Sequence, residues 1–170
     1  MNSLVLPLLL LMVCCNVFAQ ELTDEGFDAF TKRIESLQGT DAIEAYNYLK
    51  SMEDDSALLS IENRLVYYRL KSELLVEQGH YQLSKKAADE GLGLALDLKN
   101  PTILIAELSY AKGFAVESLG DYEGAKEAYV NGLEIAESLN DDKNIAIGLI
   151  NLGALYYLTE RFERALIVFN

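Results

Sequence analysis

The chain has 170 residues, 51% of them hydrophobic, and its 14 Lys and Arg against 27 Asp and Glu give a net charge of −13. That balance argues against nucleic acid and anionic membrane surfaces as partners and favours basic or neutral ones, unless the acid serves simply to keep a helical array in solution. Both cysteines, Cys14 and Cys15, fall near the N-terminus, so the chain beyond them holds no disulfide or thiolate metal site.

The first 19 residues carry no charged side chain, and Leu4 to Val13 is an apolar run broken only by Pro7. The run is shorter than the roughly 20 residues a bilayer crossing needs, and Val17-Phe18-Ala19 suits signal peptidase, so residues 1–19 are expected to be a signal peptide cleaved before Gln20. An uncleaved anchor is the alternative. Val13 before Cys14 is too large for a lipoprotein signal. Export without cysteines leaves about 150 residues held by their core alone, and that length can bury about two thirds of its unfolded surface.

No low-complexity stretch or linker rich in Pro, Gly or Ser follows, so the remainder is expected to be one all-α domain. Apolar residues at helical spacing predict helices over 24–38, 41–53, 57–78, 81–98, 101–119, 121–139, 143–159 and 161–170. Asn100 is the expected cap of the fifth, with Pro101 in its first turn, where a missing N–H costs nothing. Asp121 is expected to cap the sixth after Gly120, and Asp141 and Asp142 place acid at the start of the seventh.

Gly79-His80-Tyr81, Gly120-Asp121-Tyr122 and Glu160-Arg161-Phe162 recur at spacings of 41 and 40 residues, each joining two helical stretches. Gly113, Tyr122, Ala125 and Tyr129 share their offsets with Gly153, Phe162, Ala165 and Phe169. Ser72, Ser84 and Ala88 form a looser first unit, and Gly39 hints at a half-unit before it. Leu152-Gly153-Ala154-Leu155-Tyr156, followed by Ala165 and Phe169, resembles the tetratricopeptide repeat, with its L-G-x2-Y and A-x3-F elements. Trp is absent, Glu160 replaces the turn glycine, no proline ends the second helices, and the period exceeds the usual 34 by about two helical turns.

The resemblance implies an α-solenoid of antiparallel helix pairs in a right-handed superhelix. Its expected divisions are a degenerate helical pair over 20–56 and repeats near 57–99, 100–140 and 141–170, the last truncated. It also implies a concave face lined by the first helix of each pair and holding a peptide or a partner helix. Here that face carries Val66, Arg69, Leu70, Glu73 and Glu77, then Glu107, Tyr110, Ala111, Phe114 and Glu117, then Ile147, Ile150, Asn151, Ala154 and Tyr157. Arg69, Glu73, Tyr110, Phe114, Glu117, Ile150, Asn151 and Tyr157 are the expected partner-binding residues. Rings between acids suit an apolar segment bearing Lys or Arg, unless those rings pack onto neighbouring helices instead. Asn151 alone matches the Lys and Asn clamp with which some relatives hold a C-terminal carboxylate, so that activity is not expected.

No catalytic residue, cofactor or metal is expected. His80, the lone histidine, sits at a turn, and no Gly-rich phosphate loop occurs. Glu53-Asp54-Asp55 and Asn140-Asp141-Asp142 lack the alternating oxygen ligands, central Gly and terminal Glu of a calcium loop. A signal sequence before long repeats looks like the periplasmic sensory front of membrane-anchored signalling proteins in Gram-negative bacteria, such as GGDEF diguanylate cyclases. The last helix is expected to continue beyond Asn170, and any membrane segment or catalytic domain to lie there. The alternative is a free periplasmic scaffold that binds cell-envelope proteins.

Overall fold

The structure is a computed structural model that describes residues 24–169, so the expected signal peptide lies outside the described residues. The described residues form eight α-helices and one 3-10 turn, with no strand among them. The chain divides into two compact units, Met1–Asn63 and Arg64–Asn170.

The first unit holds α1 (Asp24–Leu37), α2 (Ala42–Lys50) and the 3-10 turn Ser56–Leu58. Phe27, Phe30 and Ile34 recur every three or four residues on α1, and all three are buried. The Tyr48 ring of α2 lies 4.7 Å from that of Phe30, so burying one apolar stripe pairs the two helices. Asp41 caps α2, its carboxylate accepting the Glu44 amide at 2.9 Å. The helix predicted over 57–78 starts four residues late. Leu59 is extended after the 3-10 turn, and the Ser60 hydroxyl accepts the Asn63 amide at 3.2 Å, which fixes the start of α3 (Ile61–Glu77).

Beyond Arg64, α3 is followed by α4 (Tyr81–Ala95), α5 (Ile103–Ser118), α6 (Tyr122–Ser138), α7 (Asp142–Leu158) and α8 (Phe162–Phe169). From α4 onward each helix packs on the next in chain order, and α5 also touches α7. The buried Ser72 hydroxyl of α3 meets the Ser84 hydroxyl of α4 at 2.9 Å, satisfying two buried polar groups. One core gathers Leu65, Ala88 and Leu108; a second gathers Tyr110, Val116, Tyr129, Leu152 and Leu155.

One turn geometry recurs. The amides of His80, Asp121, Asp141 and Arg161 donate to the carbonyls of Leu75, Val116, Ala136 and Tyr156, each five residues earlier, while the residue before each amide takes positive φ. This closure satisfies the free carbonyls at a helix end. Gly79 and Gly120 adopt it without strain, whereas Asn140 (φ 54°) and Glu160 (φ 58°) adopt it with a side chain in the left-handed region. Glu160 thus takes the conformation of the glycine it replaces.

The capping expectations divide. Asp121 does cap α6, accepting the Gly124 amide at 2.9 Å, and Asp141, expected only to bring charge to the start of α7, caps it by accepting the Asn144 amide at 2.9 Å. Asn100 does not cap α5: the Thr102 hydroxyl accepts the Leu104 amide at 3.1 Å, so helix begins at Ile103 and Pro101 precedes it. Thr102 has the extended backbone a cap requires.

Candidate functional site

The eight residues expected on one face come from α3, α5 and α7. Close approach within each pair depends on small residues. A Cβ on Gly113 would collide with the Tyr129 ring, and one on Gly153 with the Phe169 ring, the same contact repeated 40 residues on. The Tyr110 ring is seated in the same manner against Gly132 of α6 and Gly148 of α7.

Polar links tie the three first helices together. Arg69 Nη1 donates to both carboxylate oxygens of Glu73 at 3.0 Å, and Arg69 Nε lies 3.3 Å from Glu107 Oε2, joining α3 to α5. Burial raises the Glu107 carboxyl above its ordinary range; the charge of Arg69 opposes this and that of Glu73 reinforces it. The Tyr110 hydroxyl donates to the Asn144 carbonyl at 2.8 Å, joining α5 to α7. Burial, then the charges of Glu137 and Asp141, push that phenol up to about 12, so it remains a donor at any physiological pH. Glu117 accepts the Tyr129 hydroxyl at 2.9 Å, and burial followed by the Glu117 charge raises the Tyr129 phenol as well.

The eight residues therefore separate into two groups. Tyr110 is only 6% exposed, so its ring packs on neighbouring helices, as the sequence reading had left open. Arg69 and Glu73 are half-buried within an ion-pair network, and Glu117 is half-buried and held by Tyr129. Phe114, Ile150 and Tyr157 stay exposed, with Asn151 half-buried beside Ile150 in sequence. Three apolar side chains on two helices in contact, α5 and α7, thus remain open to solvent. Such an arrangement can seat an apolar segment.

Sequence reasoning missed Asn144. It is buried, its amide nitrogen gives a hydrogen to Asp141 Oδ1 at 3.3 Å, and its carbonyl receives Tyr110. The signal available was its place three residues after the capping Asp141. Also unforeseen is a cavity of about 400 Å³ between α4, α5 and α6, floored by Leu92, Val116 and Ala128. Lys85 and Lys112 border it, and each holds one oxygen of Asp89 at 2.7 Å. Burial raises the Asp89 carboxyl, but the hydrogen bonds and charges of Lys112 and Lys85 outweigh it and leave the group below its ordinary range. Lys112 thereby ties α5 to α4, while Lys85 pairs with Asp89 one turn along α4 itself, and both ammonium groups are engaged. Among the described residues no His, Cys, Asp and Glu cluster suits a metal ion, and no helix is long and apolar enough to cross a membrane.

No protein-family model matches the chain, and no curated protein matches it either.

Proposed function

We propose that the chain is a protein-interaction module of the tetratricopeptide type, an α-solenoid of antiparallel helix pairs winding as a right-handed superhelix. It would be exported to the periplasm of a Gram-negative bacterium and would serve there as the sensory front of a membrane-anchored signalling protein, of the diguanylate cyclase kind. Recurrence supports the repeat reading: one turn closure at residues 80, 121, 141 and 161, and one glycine-under-ring contact at Gly113 and Gly153. Such units cannot bury their faces alone and must shelter one another.

The observation that carries the binding reading is the exposure of Phe114, Ile150 and Tyr157 on α5 and α7, helices that touch, with Glu107 and Glu117 also on α5. An apolar peptide with Lys or Arg flanks would seat its side chains on those three and its charges over the acids. Exposed large apolar groups grouped on one face mark partner surfaces more often than chance placement does.

The test is fluorescence anisotropy with a synthetic peptide alternating Leu or Phe with Lys. The reading predicts saturable binding that weakens with salt and falls about tenfold in Phe114→Ala. A peptide that fails to bind, or binds Phe114→Ala equally well, overturns it.

A further inference from the structure

The 40-residue recurrence aligns α3, α5 and α7 position by position, with Ser72, Gly113 and Gly153 at one place. Four residues earlier stand Tyr68, Ser109 and Leu149; three residues later stand Leu75, Val116 and Tyr156. At both positions α5 carries the smallest of the three, and both residues line the cavity of about 400 Å³ between α4, α5 and α6. Charge enters the same layer. Lys112 of α5 and Lys71 of α3 correspond to the buried Leu152 of α7, and Asp89 of α4 corresponds to the half-buried Val130 of α6. Where the next layer is filled by Leu, Val and Tyr, this one is left hollow and charged. Its volume falls within the roughly 300–1,000 Å³ typical of small-molecule sites.

The walls carry both signs of charge. Lys85 of α4 and Lys112 of α5 share Asp89, each ammonium group taking one of its oxygens at 2.7 Å. An ammonium group has three donors, so one carboxylate oxygen apiece leaves both able to receive a second anion. On the α6 side, Asp121 at the cap is followed by Gly124, Glu127, Ala128 and Asn131, a helical spacing that puts one stripe along the cavity. Asp121 spends one oxygen on the Gly124 amide at 2.9 Å, and Glu127 stands exposed at the rim. Asn131 donates to the Ser109 hydroxyl at 2.9 Å, which closes the wall between α5 and α6.

Ammonium groups thus come from α4 and α5, and the carboxylates of Asp121 and Glu127 from α6 and its cap. A bare anion would meet those carboxylates and a bare cation the two ammonium groups, whereas a zwitterion answers both. Leu92, Val116 and Ala128 supply an apolar floor. We infer that the cavity binds a free α-amino acid with an apolar side chain, its carboxylate on Lys85 and Lys112, its ammonium group on Glu127 and Asp121, and its side chain on that floor. The site shares no residue with the face carrying Phe114, Ile150 and Tyr157, so either can fail without the other.

Isothermal titration calorimetry of the full chain with L-leucine, over roughly 1 µM to 10 mM, tests this. The expected result is one saturable site, with 4-methylpentanoate and 3-methylbutylamine, which each lack one of the two charges, at least about tenfold weaker. Lys85→Gln and Glu127→Gln should each weaken L-leucine about tenfold, and both side chains reach solvent, so the fold tolerates the change. Ser109→Leu, which introduces the residue found at position 149, should fill the space and abolish binding while circular dichroism shows unchanged helix. If that variant fails to fold, Lys85→Gln and Glu127→Gln carry the test. Glu62→Gln, at an exposed position of α3, should bind as the parent does. No saturable heat with L-leucine, equal affinity for either single-charge analogue, or binding indifferent to the substitutions around the cavity overturns the inference.

Discussion

At the scale of single residues, the pairs are set by where a side chain is missing. Gly113 lets α5 approach the Tyr129 ring of α6, a contact in which any Cβ collides. Gly113→Ala should therefore destabilise the chain by about 1–3 kcal/mol through overpacking, even though alanine is the better helix former. Gly93, inside α4, supplies the contrast, because a methyl group there would meet nothing within 4 Å. Gly93→Ala should stabilise by about 0.5–1 kcal/mol, and urea midpoints of the two variants check the opposite signs. Glu160 teaches the same lesson in reverse. Its φ of 58° shows the turn closure imposing a left-handed conformation on a residue that disfavours it.

At the scale of elements, helix positions were legible because apolar spacing is local, and the ends were less so. The 3-10 turn at Ser56–Leu58 and the cap at Thr102 depend on which of several neighbouring Ser, Thr and Asn side chains reaches a free amide. Propensity does not rank those neighbours. The burial of Tyr110 was not legible, because it requires knowing that α7 brings Gly148 and the Asn144 carbonyl over that ring. Nor does sequence reveal that Arg69 reaches across to Glu107. That pair has a pH consequence. Because the fold raises Glu107 above its unfolded value near 4.5, the native state binds the proton more tightly. Stability from this group is thus present below pH 4.5 and is lost as pH rises through the higher folded value. Glu107→Gln cannot lose it. Between about pH 4 and pH 7 the urea midpoint of Glu107→Gln should rise relative to the parent, and a constant difference would show that Glu107 is not held in this way.

At the scale of the whole molecule, the helices after Arg64 owe their order to contacts between chain neighbours: α4 with α5, α5 with α6, α6 with α7 and α7 with α8. Stability built from neighbour terms behaves differently from that of a single closed core. Removing the last pair should subtract its own contribution and leave the earlier pairs standing, although Tyr110 and Leu133 would be uncovered. The most direct measurement is the thermal and urea unfolding, followed by circular dichroism, of a chain ending at Asn140 beside the full chain. Stacked repeats predict a helical signal reduced only by the helices removed, with unfolding still cooperative at a lower midpoint. Loss of helix throughout the shortened chain, or a midpoint equal to that of the full chain, would contradict the stack.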